Sequence, residues 1–229
     1  HMNIRCETPA DYAAVYRLVQ TAFATAEHSD GKEQDLVAAL RQSRSFVPAL
    51  SLVAEIEGRL AGYILFTEIG IGNEPALALA PLAVHPDFQR QGVGGRLIKC
   101  GHAAAHALGY GACVVLGSAA YYSKFGHQEA APLGILPPFE VPSANFMAVA
   151  LANKALPQGV VAYDAAFVTV YPNLSPSSAW QAFKQHKRGF RALRLLAVLF
   201  ALALLAPLWS NDKPLLVHYQ GSYYFPMVK

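Results

Sequence analysis

A mixed α/β fold is the class that residues 1–167 of this chain predict, and three observations carry it. Apolar runs with strand character alternate with stretches of helical periodicity, but with too few crossovers for a doubly wound sheet. The strand through Leu82-Ala83-Val84 ends at His85-Pro86. A basic, glycine-rich turn, Gln89-Arg90-Gln91-Gly92-Val93-Gly94-Gly95, then opens a long helix. Finally, Pro81 interrupts the strand leading to that turn, and a proline cannot donate to a ladder, so a bulge, an edge or a split in the sheet is expected there.

The elements follow in order. Asn3 to Cys6 reads as a first strand. Thr8-Pro9-Ala10-Asp11 carries a helix start, with a Thr cap, Pro at the first position and an acid three residues after the cap. Tyr12, Val15, Tyr16, Val19 and Phe23 then recur at helical spacing, and a second helix over Glu33 to Gln42 carries Leu36, Val37 and Leu40. Ser51 to Ile56 and Leu60 to Ile69 are strands joined by a hairpin at Glu57-Gly58-Arg59. Ala76 to Val84 is the next strand. The long helix Gly92 to Leu108 is expected to bury Val93, Leu97, Ile98 and Leu108. Ala112 to Gly117 is a further strand, a proline-rich loop follows, and strands are expected at Asn145 to Leu151 and Val160 to Tyr163.

The glycine-rich turn has a physical use. A helix start leaves backbone N–H groups unpaired at the positive end of the dipole, a ready site for a phosphate group. Glycines at 92, 94 and 95 allow close approach to the main chain. The spacing Gln-x-x-Gly-x-Gly fits neither the Walker pattern nor the dinucleotide fingerprint. It resembles the acetyl-CoA pyrophosphate loop of the GNAT-type N-acetyltransferases. Tyr121-Tyr122-Ser123-Lys124-Phe125-Gly126-His127 is similar to the short fourth helix of that superfamily, directly after the strand Ala112 to Gly117. Ala80-Pro81-Leu82-Ala83-Val84 and Leu116-Gly117-Ser118 are closer still to its YhbS-like branch. His127 departs from the usual Phe.

The resemblance implies a GNAT-type acyl-CoA N-acyltransferase fold, with a mixed sheet split between its fourth and fifth strands and acetyl-CoA as the acetyl donor. It implies that Gln89, Arg90, Gln91, Gly92, Val93, Gly94, Gly95 and Arg96 hold the pyrophosphate. Backbone groups of Leu82, Ala83 and Val84, freed by the split, would pair with the pantetheine and polarise the acetyl carbonyl. By the same resemblance Tyr122 is the general acid for the departing thiolate, against a plain packing role, and Tyr121 is core. Glu68 is the candidate general base, against a role as a solvent-facing strand residue. Glu33, Glu74 and His85 are lesser candidates, and many members rely on water instead. The acceptor is an unidentified primary amine, shaped by loops around residues 24–34 and 128–144, and attack is direct within a ternary complex. The alternative is an acyl-CoA-binding or regulatory module without catalysis, or a membrane-tethered head.

No metal is expected. His102 and His106 are four apart on one helix but have no third ligand by spacing, so both read as exposed, and Cys113 reads as packing. The formal net charge of +3 is too small to imply nucleic acid. Three cysteines without metal spacing and no signal-peptide pattern point to reduced thiols in the cytoplasm. His1 before Met2 reads as a cloning remnant.

Residues 168–179 read as a linker, and residues 180–229 as a tail with a basic helix followed by an apolar run to Trp209. Counted from Phe190, that run reaches the roughly 20 residues a bilayer helix needs. It reads either as an anchor to the inner membrane or as a docking helix, for a partner or for a second copy in a homodimer. The tail resembles the N-terminal tail and first membrane helix of YejE-like peptide ABC-transporter permeases. So short a piece carries no transport function, and a fusion artefact is an equal reading.

Overall fold

The computed structural model describes residues 1–24, 29–172, 217–219 and 222–224. The chain divides into two compact units, His1–Ser178 and Ala179–Lys229. The first holds β1 (Met2–Cys6), α1 (Tyr12–Phe23), α2 (Glu33–Arg41), β2 (Phe46–Ile56), β3 (Arg59–Ile71) and β4 (Glu74–Val84). It continues with α3 (Val93–Ala107), β5 (Ala112–Leu116), α4 (Ala119–Tyr122), β6 (Gln128–Glu129), β7 (Ile135–Leu136), β8 (Phe146–Ala150), β9 (Gly159–Ala162) and α5 (Ala165–Val170). The second unit shows an antiparallel pair, β10 (Val217–Tyr219) and β11 (Ser222–Tyr224). The basic and apolar helices expected in the tail lie outside the described residues. Among the described residues no helix is long and apolar enough to cross a membrane.

The sheet runs β1-β2-β3-β4-β5-β8-β6, with β9 pairing β3 and β7. β2, β3 and β4 form an antiparallel meander, for a local reason. Ile56 pairs with Arg59 across Glu57 (φ 51°) and Gly58 (φ 76°), a two-residue turn with both centres left-handed, whose twist matches that of the strands. β4 and β5 are parallel, and α3 makes the crossover between them.

Both faces of the central strands are buried, which is why β3 reads as an almost unbroken apolar run. Ile64 and Phe66 point to a core shared with Leu97 and Ile98 of α3 and with Cys113 and Val115 of β5. Tyr63 and Leu65 point the other way, to Val15, Leu18 and Val19 of α1 and Leu36 and Leu40 of α2. Phe167 of α5 joins that second core, so the expected boundary at residue 167 falls inside a helix that packs on α2. Under the same face Arg41 and Glu7 form a buried ion pair. Ser51 Oγ donates to Glu7 Oε2 at 2.7 Å and lies 2.9 Å from the Tyr63 hydroxyl.

α3 sits unusually close to the sheet. A Cβ on Gly101 would lie 2.1 Å from the ring of Phe66, and one on Gly62 would meet Val93 at 2.8 Å. Two expectations for this helix change. Leu108 is 50% exposed, because it caps the helix beyond its last buried turn at Ala105. His106 is exposed, but His102 turns inward, its ring centroid 5.9 Å from that of Phe66. Residues 128–136, expected as loop, contribute two-residue strands, too short to show a period.

Candidate functional site

The bulge at Pro81 opens the sheet. Ile64 pairs with Leu82 and Phe66 with Leu79, so β4 has one residue more than β3 across Ala80-Pro81. β4 pairs with β5 only over Leu77–Leu79 against Cys113–Val115. Beyond Leu79 the two strands part, and the β5-facing edge of Leu82, Ala83 and Val84 has no strand partner among the described residues. Leu82 and Val84 are half-buried, Ala83 is buried, and Leu116 across the gap is 47% exposed.

The glycine-rich turn lies at this open end. A short 3-10 turn, Pro86–Phe88, redirects the chain, with His85 Nδ1 accepting from the Asp87 N–H at 3.2 Å and Arg59 paired to Asp87 at 2.9 Å. Arg90 (φ 59°) and Gly92 (φ 82°) are both left-handed, which folds the turn back onto the helix start. The Arg96 N–H is the first to close a helical turn, on the Gly92 carbonyl at 3.1 Å. The N–H groups of Val93, Gly94 and Gly95 therefore have no helical acceptor and point out of the helix. Arg90 and Arg96 are exposed beside them. The two glutamines brace the turn: Gln89 Nε2 donates to the Val84 carbonyl at 3.2 Å and Gln91 Nε2 to the Asp87 carbonyl at 2.9 Å. This arrangement can take a multiply charged anion through main-chain donors and the dipole of a 15-residue helix.

Both tyrosines of α4 approach the same end. The Tyr122 ring packs on Gly117, where a Cβ would lie 2.5 Å from it, and meets the His127 ring edge-on at 5.5 Å. Burial raises the Tyr122 phenol well above its usual value, with Tyr121 and Cys113 adding smaller contributions. It is therefore protonated at neutral pH and able to donate. Tyr121 was expected to be core. It does pack edge-on to Phe125 at 5.4 Å, but its hydroxyl reaches the first turn of α3, 2.6 Å from where a Cβ on Gly94 would sit. Sequence reasoning missed this contact because it lies across two elements with no shared periodicity.

The carboxylates lie elsewhere. Glu68 pairs with Leu77, which is itself paired with Cys113 of β5, and accepts from the Tyr110 hydroxyl at 2.7 Å just past the C-terminal end of α3. Gly62, under the first turn of α3, is six positions away along β3, on the order of 20 Å. Glu68 lines a shallow depression of about 470 Å³ there, with Arg44, Glu74 and Tyr163. The structure thus brings Leu82–Val84, Gln89–Arg96 and the α4 tyrosines to the open end, and sets Glu68 two positions past Phe66, whose partner Leu79 is the last residue before the split. Glu33, at the start of α2, accepts from Ser29 Oγ at 2.9 Å. Ser118 caps α4 through its carbonyl, not its side chain.

Comparison with known proteins agrees with this geometry. Residues 48–129 match the acetyltransferase (GNAT) domain. The chain is 44% identical over 119 residues to the uncharacterized N-acetyltransferase YjhQ of Escherichia coli, covering 50% of this chain and 66% of YjhQ. It is 33% identical over 132 residues to the uncharacterized N-acetyltransferase YhbS of the same organism, covering 57% of this chain and 75% of YhbS. The crystal structure of YhbS with CoA superposes with a TM-score of 0.66, over 72% of this chain and 91% of that one, at 30% identity. A GNAT family acetyltransferase from Brucella melitensis in complex with acetyl-CoA superposes at 0.62 and 36% identity, over 73% of this chain and 98% of that one. The tail is separately similar to the inner membrane ABC transporter permease protein YejE of E. coli, 48% identical over 58 residues, or 24% of this chain and 17% of YejE. The sheet split, the glycine turn at the head of α3 and these matches together make the chain a member of the GNAT N-acetyltransferase family, with acetyl-CoA as its acetyl donor.

Proposed function

We propose that this protein acetylates a primary amine by direct attack on acetyl-CoA within a ternary complex. The observation that supports the reading best is convergence. The β4 edge of Leu82–Val84 past its last β5 pair and the N–H groups of Val93–Gly95 lie at one end of the sheet, and the Tyr122 ring reaches it through Tyr121, which contacts the first turn of α3. In this reading the turn Gln89–Arg96 takes the pyrophosphate, and free main-chain groups of Leu82–Val84 hold the pantetheine and polarise the carbonyl. The Val84 carbonyl would accept from a pantetheine amide N–H only after releasing Gln89 Nε2, and polarising the acetyl carbonyl falls to a main-chain N–H. The amine nitrogen attacks the carbonyl carbon, the carbon–sulfur bond breaks, and Tyr122 gives its proton to the departing sulfur.

The amine proton leaves through water. Glu68 already accepts from Tyr110, and His85 from Asp87, so neither serves as base in this reading. The test is a calorimetric titration of acetyl-CoA and CoA into the full chain. It is followed by thiol release over a panel of amines: peptide N-termini, lysine, polyamines and aminoglycosides. Micromolar binding with turnover on one acceptor class supports the proposal. Binding without turnover on any of them favours an acyl-CoA-binding module, and no binding sinks the reading.

A further inference from the structure

Beneath β5, behind the Tyr122 ring, three side chains with ligand chemistry converge. His102 comes from α3, Cys113 from β5, and His127 from the segment after α4. One ligand atom from each lies within 4.8 Å of the others. Cys113 is fully buried and His127 is 2% exposed. His102 Nε2 and both ring nitrogens of His127 are buried with no well-formed hydrogen bond, the Tyr122 main chain making only a weak approach to the His127 ring. The two rings stand 5.2 Å apart, flanked by Phe66 and Tyr122.

An unpartnered buried imidazole costs on the order of 1–3 kcal/mol, and native interiors rarely leave three such nitrogens together without use. Packing alone does not explain His127, since a Phe would fill the same position with no polar atoms to satisfy. Burial lowers His102 and His127 to about 4, so at neutral pH both imidazoles are uncharged and have a lone pair to give.

We propose that His102, Cys113 and His127 form a binding site for a single transition-metal ion, of the zinc class. Two imidazole nitrogens and a thiolate are the donors that borderline-soft divalent ions prefer, and three protein ligands leave a fourth position for water. Metal–ligand bonds of about 2.0–2.3 Å in a tetrahedron place the donors roughly 3.5 Å apart, so the three side chains must close by about 1 Å. On binding, two metal–nitrogen bonds and one metal–sulfur bond form, the Cys113 S–H bond breaks, and one proton passes to solvent. The ion fastens α3, β5 and the chain just past Tyr122 to one point. The site is independent of the acetyl-transfer reading.

The test uses the full chain, stripped with chelator and titrated with Co2+ without oxygen. The expected result is a tetrahedral cobalt spectrum with a thiolate-to-metal band that saturates near one equivalent, is displaced by Zn2+, and is accompanied by a rise in melting temperature. The band should be lost in Cys113→Ala and in His127→Phe, and kept in Cys6→Ala and Cys100→Ala, which remove the exposed thiols. His127→Phe preserves ring volume, so it reads the site even if Cys113→Ala folds poorly. No thiolate band would overturn the proposal and leave a water shared by the three groups. A band that survives Cys113→Ala or His127→Phe would overturn it equally.

Discussion

Gly94→Ala tests how the first turn of α3 is held. A methyl at Gly94 would sit 2.6 Å from the Tyr121 hydroxyl, roughly 0.8 Å inside an ordinary approach of about 3.4 Å. The other neighbours, Val84 and Leu82, lie at 3.5 and 3.6 Å, so the overlap is with Tyr121 alone. That ring cannot swing freely, because Tyr122 and Phe125 meet it edge-on at 5.2 and 5.4 Å. Overpacking of this kind costs about 1–3 kcal/mol, and replacing a helical glycine by alanine returns about 0.8–1 kcal/mol. The net loss is about 0–2 kcal/mol, taken up by tilting the turn whose N–H groups make the anion site. Acetyl-CoA affinity should fall by up to about thirtyfold, at tenfold per 1.4 kcal/mol. The assay is a double-mutant cycle read by calorimetry and thermal melting. Tyr121→Phe removes the offending oxygen, so Gly94→Ala should be nearly harmless in that background, with a coupling of about 1–2 kcal/mol. Purely additive effects of the two substitutions on melting temperature and affinity would refute the contact and its link to the site.

Tyr122→Phe should leave CoA affinity unchanged, since the ring contacts with Gly117 and His127 survive, and lower thiol release about 10²–10⁴-fold; equal turnover would reduce Tyr122 to packing. Glu7→Gln leaves the Arg41 guanidinium buried without its counter-charge, a loss of about 3–5 kcal/mol and roughly 6–20 °C in melting temperature. A shift within error would mean the pair opens to water. In metal-free protein, His102 and His127 resist protonation down to about 4, while the unfolded chain takes protons near 6.5. Their contribution is therefore complete above pH 6.5 and is lost as pH falls toward 4. The urea midpoint should drop between pH 7 and 5, and His127→Phe should flatten that slope. Removal of residues 173–229 should leave acetyl-CoA affinity intact, because the described site lies wholly within the first compact unit; a collapse of affinity would tie the tail to the fold.

Much of the site was legible because its signals are local. The turn at 89–95 announces itself through glycines within a few residues, and Pro81 marks the bulge on its own. The Glu57-Gly58 hairpin is likewise written in adjacent residues. What escaped depends on which strand end a residue reaches. Glu68 lies on the right strand, but its register sets it against Leu77, inside the β4–β5 ladder and not against the split, and no periodicity reports that register. His102 was paired by spacing with His106. Its actual neighbour, His127, comes from a segment that only the parallel placement of β5 brings under α3. The same holds for Tyr121 and Gly94.

The glycines of α3 carry a cost that the cofactor can offset. Gly94, Gly95 and Gly101 each weaken an isolated helix by about 0.8–1 kcal/mol, so this segment has little helicity of its own and owes its form to Phe66, Phe125 and the strands beneath it. The N–H groups that would receive a pyrophosphate exist as a set only while that docking holds. Ligand binding and folding are then one linked equilibrium: at a hundred times its dissociation constant, acetyl-CoA would add about 2.7 kcal/mol to the stability of the domain. The abundance of this enzyme in a cell would then follow the size of the CoA pool, with the protein cleared fastest when its acetyl donor is scarce.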